Sequence, residues 1–315
     1  MKKILVTGAF GQIGTELVPA LQKKYGKDNV VAVGHHNIPT DFDGIVEKAE
    51  LPNKDNLKAL VDKYDIGTVY HLVSLLSAKG EVDPSFTWHL NMESLKDVLD
   101  LAVEKKYNVF WPSSIAAFGT TTPRVNTPQR TVLEPTTMYG VTKVSGELLA
   151  QYYHNKYGVD IRSVRYPGII SWKQEPGGGT TDYAVAIFYE ALKTGKYECF
   201  VSKETVLPMM YMDDAVNATI QLMEADPTKL TVHTSYNLAA ISFSAEELAT
   251  EINKHLLVEV TYKPDHRQKI ADSWPDSIDD SQARTDWGWQ HEYDLSKMTE
   301  VMLTELKKKL NKYNE

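Results

Sequence analysis

Three side chains in this sequence have the types and spacing for acid–base work on an alcohol. Tyr139 and Lys143 stand four residues apart in Met138-Tyr139-Gly140-Val141-Thr142-Lys143, and Ser114 precedes the tyrosine by 25 residues. Oxidising a secondary alcohol requires a base for the hydroxyl proton and a redox cofactor for the hydride. A tyrosine, with a pKa of ~10, is a poor base at neutral pH unless a nearby cation favours its phenolate. The i,i+4 spacing puts Lys143 on the same helix face as Tyr139, so the ammonium is expected to lower the phenol's pKa. Lys143 is also placed to hold a cofactor ribose. Ser114 follows an apolar run, at the strand edge where open α/β sheets carry their sites, so its hydroxyl can bond the reacting oxygen. Taken singly these residues say little. Tyr-x-x-x-Lys opens many amphipathic helices, and a serine past a strand is commonly a turn residue.

The redox cofactor has its own signature at the start of the chain. Ile4-Leu5-Val6-Thr7 reads as a buried strand and runs into Gly8-Ala9-Phe10-Gly11-Gln12-Ile13-Gly14, followed by a helical stretch from Glu16 to Lys24. Such a junction is an anion site, because free N–H groups and the helix macrodipole face a pyrophosphate. Gly8 permits the tight turn, Gly11 lets the backbone approach the phosphates, and Gly14 lets the helix pack on the strand. The spacing is G-x-x-G-x-x-G rather than G-x-G-x-x-G, and on its own it would be only a tight connection. The second strand ends in Val33-Gly34-His35-His36-Asn37. Neither the acid that holds the ribose hydroxyls of NAD nor the arginine that takes the 2′-phosphate of NADP is present. His35 or Asn37 can hold ribose hydroxyls, and a protonated histidine can take a phosphate. Both cofactors stay open, with NAD the preferred reading.

The elements that must position these groups alternate along the first half. Strands are expected at Ile4–Thr7, 29–34, 68–73, 109–111 and 161–166, with helices over Asp55–Tyr64, Ser85–Lys106 and Tyr139–Tyr157. The alternation predicts an α/β fold with a doubly wound parallel sheet of the Rossmann type. After Pro167-Gly168 it fades, and Pro176-Gly177-Gly178-Gly179 is loop chemistry. Tyr236-Asn237-Leu238-Ala239-Ala240 reads as a late strand and Ser244 as a helix N-cap with acids behind it. The expected domains are residues 1–167 with 211–240 for the nucleotide, and a smaller, mostly C-terminal substrate domain from 168–210 with 241–315.

Composition narrows the function classes. The chain has 315 residues, room for two such domains around a cleft. A net charge of -8 argues against nucleic acid as partner, and Lys307-Lys308-Lys309 reads as a solvated helix end. No apolar run reaches ~18 residues, so no membrane span is expected. Cys199 is the only cysteine, which excludes an internal disulfide and fits a reducing, cytoplasmic setting. It reads as an inert buried thiol. The nine histidines show no metal-ligand spacing, and on a strand His35 and His36 would point apart, so no metal is expected. Met209, Met210 and Met212 read as packing, Trp287 as core, and Trp274 as either core or pocket wall.

Beyond these motifs, the chain resembles the extended short-chain dehydrogenase/reductases, the superfamily of the UDP-sugar epimerases. Within it the resemblance is to the short-chain L-threonine 3-dehydrogenase family. The narrower likeness rests on 75–78 (Leu-Leu-Ser-Ala), 111–115 (Trp-Pro-Ser-Ser-Ile), 178–185 (Gly-Gly-Thr-Thr-Asp-Tyr-Ala-Val), 208–212 (Pro-Met-Met-Tyr-Met) and 269–275 (Lys-Ile-Ala-Asp-Ser-Trp-Pro). It implies oxidation of L-threonine at C3 to 2-amino-3-oxobutyrate with NAD as acceptor, in a cytoplasmic homodimer paired through the helices after Asn91 and from Tyr139. Tyr139 would be the base, Lys143 its electrostatic partner and Ser114 the oxygen-orienting group. The implied cofactor set is Gly8, Gly11, Gln12, Ile13, Gly14, His35, Leu72 and Tyr166 with Tyr139 and Lys143. The implied substrate set is Ser77, Thr180, Thr181 and Trp274 with Ser114 and Tyr139. Asp182 is open as an acceptor for the substrate ammonium or as a helix N-cap. The family carries an aspartate where this chain has Gly34. Two rivals remain at this point: a UDP-sugar 4-epimerase or dehydratase, and a non-catalytic NAD(H) sensor. Between Ile170 and Met210 there are lysines but no arginine to meet a sugar nucleotide's pyrophosphate.

Overall fold

The computed structural model describes residues 2–36 and 38–312. Asn37, a ribose-binding candidate above, lies outside the described residues. The first strands are β1 (Lys3–Thr7), β2 (Val30–Gly34), β3 (Ile45–Lys48), β4 (Ile66–His71), β5 (Asn108–Phe110), β6 (Ser113–Ser114) and β7 (Ile161–Arg162). Six of them form one parallel sheet in the order β3-β2-β1-β4-β5-β7. The order reverses between β1 and β4, and a ligand crevice opens beyond the strand ends at that point. Burial of both faces explains the Val- and Ile-rich strands: Leu5, Val6, Val30, Val31, Val69 and Val109 have no exposed surface.

Two apolar clusters cover the sheet. One joins Leu17, Val18 and Leu21 of the helix Gly14–Tyr25 to Met212, Ala215 and Leu222 of the helix Met212–Glu224. The other joins Leu57, Leu60 and Val61 to Leu95, Leu99 and Ala150. A third cluster, with Phe188, Met209, Trp274, Met302 and Leu306, lies under the C-terminal half. Ala283 and Trp289, although late in the chain, pack with the first of these clusters on the nucleotide-side sheet.

Several elements depart from the sequence reading. The helix expected over Ser85–Lys106 carries a π turn at His89–Glu93, flanked by α segments Pro84–Trp88 and Ser94–Lys105. Such a turn re-aims side chains at functional positions. The strand expected at 161–166 breaks at Ser163. Its second half, β8 (Val164–Tyr166), pairs with β6 and with β12 (Tyr236–Asn237) in a separate sheet. The strand expected at 236–240 is therefore only two residues long. Alternation also continues past Gly168, because β9 (Gly168–Ile170) lies parallel to β11 (Val206–Tyr211). Further on, β13 (Ile241–Ser244) pairs antiparallel with β11, and β14 (Glu259–Tyr262) pairs parallel with β10 (Lys196–Cys199), which precedes β11. Ser244 caps its helix through a capping box with Glu247. Cys199 is buried and its thiol is pushed up to about 11 by that burial, so it is unreactive. No helix among the described residues is long and apolar enough to cross a membrane.

Candidate active site

β1 delivers the chain into the glycine turn. Gly8 has a φ of +69°, which only glycine adopts at little cost, and a Cβ on Gly14 would stand 2.5 Å from the carbonyl oxygens of Gly8 and Ala9. The helix N-terminus at Gly14 thus sits directly on the turn, with Glu16 in its first turn. Gln12 and Ile13 face the crevice, and Leu72 enters it just past the end of β4, where its N–H donates to the Thr7 carbonyl at 3.0 Å.

The three residues with chemistry converge there. Gln12, Ile13, Leu72, Ser77, Ser114, Tyr139, Lys143, Tyr166, Thr180, Thr181 and Trp274 all line one cleft. Ser114 ends β6, where its Oγ accepts from the Ala116 N–H at 3.2 Å. Tyr139 is the second residue of the helix Met138–Tyr157, whose N-cap Thr137 accepts from the Gly140 N–H at 3.1 Å. Burial pushes the Tyr139 phenol up to about 12, and a hydrogen bond with Ser114 pulls the other way. Lys143 is equally buried, which brings its ammonium down to about 7, with Glu147 opposing.

Lys143 stays beside Tyr139, but its hydrogen bond goes to the backbone. Lys143 Nζ donates to the Pro112 carbonyl at 2.6 Å and lies 4.5 Å above the Trp111 ring, against 5.2 Å from the Tyr139 ring centroid. A buried cation takes the strongest acceptor within reach, and a neutral phenol competes poorly with a carbonyl.

Around these groups stand residues whose part the sequence did not reveal. Glu147 is buried and accepts from Arg165 through both oxygens, at 2.9 and 2.7 Å, and from Ser113 Oγ at 2.6 Å. It therefore ties β6, and with it Ser114, to the helix that carries Tyr139 and Lys143. Its signal was available: Tyr139, Lys143 and Glu147 follow one another at i, i+4 and i+8. Asn91, in the π turn, accepts from the Leu75 N–H at 2.8 Å and donates to the Leu75 carbonyl at 3.2 Å and to Thr142 Oγ1 at 3.1 Å. It fixes the 72–77 segment on which Ser77 rides. His71 lies beneath the site, bonded to Thr7 Oγ1 at 2.7 Å and Ser94 Oγ at 3.1 Å. Burial, reinforced by Lys143, holds it down to about 3, so it is neutral.

The far wall is hydroxyl-rich. Ser77 Oγ and Thr180 Oγ1 face each other at 3.5 Å, both buried, and the Trp274 indole closes the cleft. Trp274 is thus core and pocket wall at once. Asp182 stands at the helix start Tyr183–Lys193 but does not cap it. Its Oδ2 accepts instead from the Gly178 and Gly179 N–H groups, each at 2.7 Å, and closes the glycine loop on itself. Among the described residues, Lys143 and Asp182 are the only charged ones lining the cleft. An ion pair of Lys173 with the buried Glu16 joins the start of this loop to the cofactor-side helix.

Two of the candidates read from the sequence are placed differently from the rest. Tyr166 lines the cleft but turns its hydroxyl into the core, against Thr219 and the Ala215 carbonyl. His35 is outside the cleft, beyond the end of β2, in a shallow recess with Lys48, Glu50 and Asn56. Because β2 ends at Gly34, His35 and His36 follow in a bend rather than a strand, and their rings lie 3.8 Å apart instead of pointing away from each other.

The NAD-dependent epimerase/dehydratase family model matches residues 4–239. The chain belongs to that family. An epimerase/dehydratase of Staphylococcus haemolyticus, itself described as uncharacterized, is 49% identical over 98% of this chain and 99% of its own length. Among solved structures, a monomeric L-threonine 3-dehydrogenase from a metagenome superposes with a TM-score of 0.95 at 50% identity, covering 97% of this chain and 99% of that one. The L-threonine dehydrogenase of Clostridium difficile gives 0.95 at 48% identity, covering 98% of both chains. The protein is thus an extended short-chain oxidoreductase that uses NAD. The residues present suit that group: a glycine turn that a Cβ at Gly14 would block, a helix N-terminus facing the crevice, and the cleft continuing from Gln12 to Lys143.

Proposed function

We propose that this protein oxidises L-threonine at C3 to 2-amino-3-oxobutyrate. The observation that carries the reading is the make-up of the cleft. Ser114 and Tyr139 meet a wall of Ser77, Thr180 and Thr181 hydroxyls under Trp274, with no arginine among the described lining residues. A small zwitterion needs hydroxyl and backbone donors for its carboxylate and an acceptor field for its ammonium, which Asp182 contributes from the loop. A sugar nucleotide would bring a second pyrophosphate to a wall whose described residues include no cationic side chain besides Lys143. The L-threonine dehydrogenases named above, similar over nearly the whole chain, support the same substrate.

Bound NAD supplies the hydride acceptor. The chain's own residues do the rest. Ser114 orients the C3 hydroxyl, and Tyr139 as phenolate takes its proton while the C3–H electrons leave as hydride and the carbonyl forms. Lys143, held on the Pro112 carbonyl with its Nζ 5.2 Å from the Tyr139 ring centroid, is near enough for its charge to stabilise the phenolate.

We also propose that the protein pairs with a second copy through the helix Met138–Tyr157. Its outer face exposes Val141, Leu148 and Tyr152, with Phe86 and Trp88 beside them on Pro84–Trp88, which packs against it. The test of the catalytic reading is steady-state turnover with L-threonine and NAD, set against UDP-glucose and UDP-galactose. A sugar nucleotide turned over in place of threonine would overturn it.

A further inference from the structure

The end of β2 is unusual for a protein that uses NAD. In this fold the adenosine ribose lies beside the glycine turn, at the end of the second strand, where a carboxylate holds its two hydroxyls. That carboxylate does two things: it binds the 2′-hydroxyl and repels a 2′-phosphate. Here the position is Gly34, at the end of a strand whose Val33 is paired with Thr7 and accepts from the Ala9 N–H at 3.1 Å. The glycine is required by its neighbours. A Cβ on Gly34 would stand 2.6 Å from Phe10 Cδ2 and 3.0 Å from Ile38 Cγ1, and the Phe10 ring is itself wedged edge-on against Phe42, centroids 5.4 Å apart. An aromatic of the phosphate turn occupies the space an acidic side chain would start from.

Donors surround this gap. His35 and His36 follow Gly34 and are exposed, and Lys48, exposed at the end of β3, pairs in register with Gly34. His35 and Lys48 line one recess. The nearby acids are largely committed elsewhere. Glu47 accepts from Lys63 at 2.6 Å and from the Tyr64 hydroxyl, and Asp43 is paired with Lys27. Glu50 is the acid that shares the recess with Lys48. Two imidazoles and an ammonium are hydrogen-bond donors suited to a phosphate, and at Gly34 itself there is no side chain to repel one, which leaves Glu50 as the single carboxylate lining the recess among the described residues.

We propose that this chain binds NADP as well as NAD, with the 2′-phosphate received by His35, His36 and Lys48 at the end of β2. The proposal rests on the dinucleotide reading of the glycine turn and goes beyond the family's NAD dependence.

The test is direct binding by calorimetry, free of any catalytic step. The full-length protein is titrated with NAD and NADP, and with 5′-AMP and adenosine 2′,5′-bisphosphate to isolate the adenosine end. The expected result is NADP within about tenfold of NAD, and the bisphosphate at least as tight as AMP. A double variant, His36→Ala/Lys48→Ala, is expected to weaken NADP and the bisphosphate by about tenfold or more while moving NAD and AMP by less than about threefold. Its unchanged NAD affinity also reports that it is folded. NADP weaker than NAD by more than about tenfold, with NAD bound normally, would overturn the proposal and leave the dinucleotide site standing. So would a double variant whose NADP affinity is unaltered. Failure of both NAD and AMP to bind would overturn the dinucleotide reading along with it.

Discussion

Lys143 donates to the carbonyl of Pro112 at 2.6 Å while its Nζ lies 5.2 Å from the Tyr139 ring centroid, so the lysine neighbours the phenol but bonds the backbone. Both partners are buried, and burial moves their pKa values in opposite directions, Tyr139 up to about 12 and Lys143 down to about 7. Burial thus works against the phenolate and against the ammonium alike.

The buried lysine has a cost that stability measurements can read. Unfolded, it titrates near ~10.4; folded, near about 7. Between those values the unfolded chain holds the extra proton, so this group makes stability rise with pH from about 7 to about 10. Lys143→Met is therefore expected to raise Tm at pH 7 while abolishing turnover, and the gain should shrink as the pH approaches 10. Thermal scans of both proteins across that range check it. A variant less stable at pH 7 by the same margin as at pH 10 would show that the Pro112 bond outweighs the burial.

Glu147 and Arg165 form a pair with almost no exposed surface, 1% and 4% at the side chains. Removing one partner leaves a buried charge, which costs about 3–5 kcal/mol. Arg165→Met should lower the denaturation midpoint accordingly, and chemical denaturation measures it. A loss below about 1 kcal/mol would mean that solvent or a local shift satisfies Glu147.

The phosphate turn has no room for a methyl group at Gly14. Gly14→Ala must push the helix from the turn, so NAD affinity should fall by about tenfold or more, with stability lower by about 1–3 kcal/mol. Calorimetric titration with NAD reads the first and thermal unfolding the second. Unchanged NAD affinity would place the pyrophosphate elsewhere.

Leu148 is 59% exposed on the outer face of the Tyr139 helix. If that face pairs with a second copy, Leu148→Arg should convert a dimer to a monomer in light scattering, because it buries an unpaired charge. A wild-type protein that is already monomeric at micromolar concentration would contradict the pairing; one similar structure is of a monomeric enzyme.

Much of this architecture was legible in the residues. Buried parallel strands must be apolar on both faces, so Ile4–Thr7 and Val30–Val33 announced themselves, and the glycine turn and the Tyr139–Lys143 spacing are local patterns. What was not legible depends on contacts distant in sequence. Nothing near Glu147 says that it meets Arg165, or that Asn91 reaches Leu75, because those bonds exist only once the sheet has formed. The break at Ser163 is of the same kind: a uniform β-type run is split because its two halves pair with different sheets. Asp182 carried the residue type of a helix cap, yet two glycine amides in its own loop captured it. The lysine's docking on Pro112 was invisible for a further reason, since spacing fixes which face a side chain shares but not which acceptor it chooses.

The central claim is that Tyr139 removes a proton from the C3 hydroxyl of L-threonine. The most direct test follows growth of the reduced-nicotinamide absorbance with L-threonine and NAD, wild type beside Tyr139→Phe. Wild type should reduce NAD, and Tyr139→Phe, still binding NAD and unfolding at the same temperature, should lose about 10²–10⁴-fold in kcat. A Tyr139→Phe protein that keeps more than about a tenth of wild-type kcat, or a folded wild type inert towards threonine, would contradict the account.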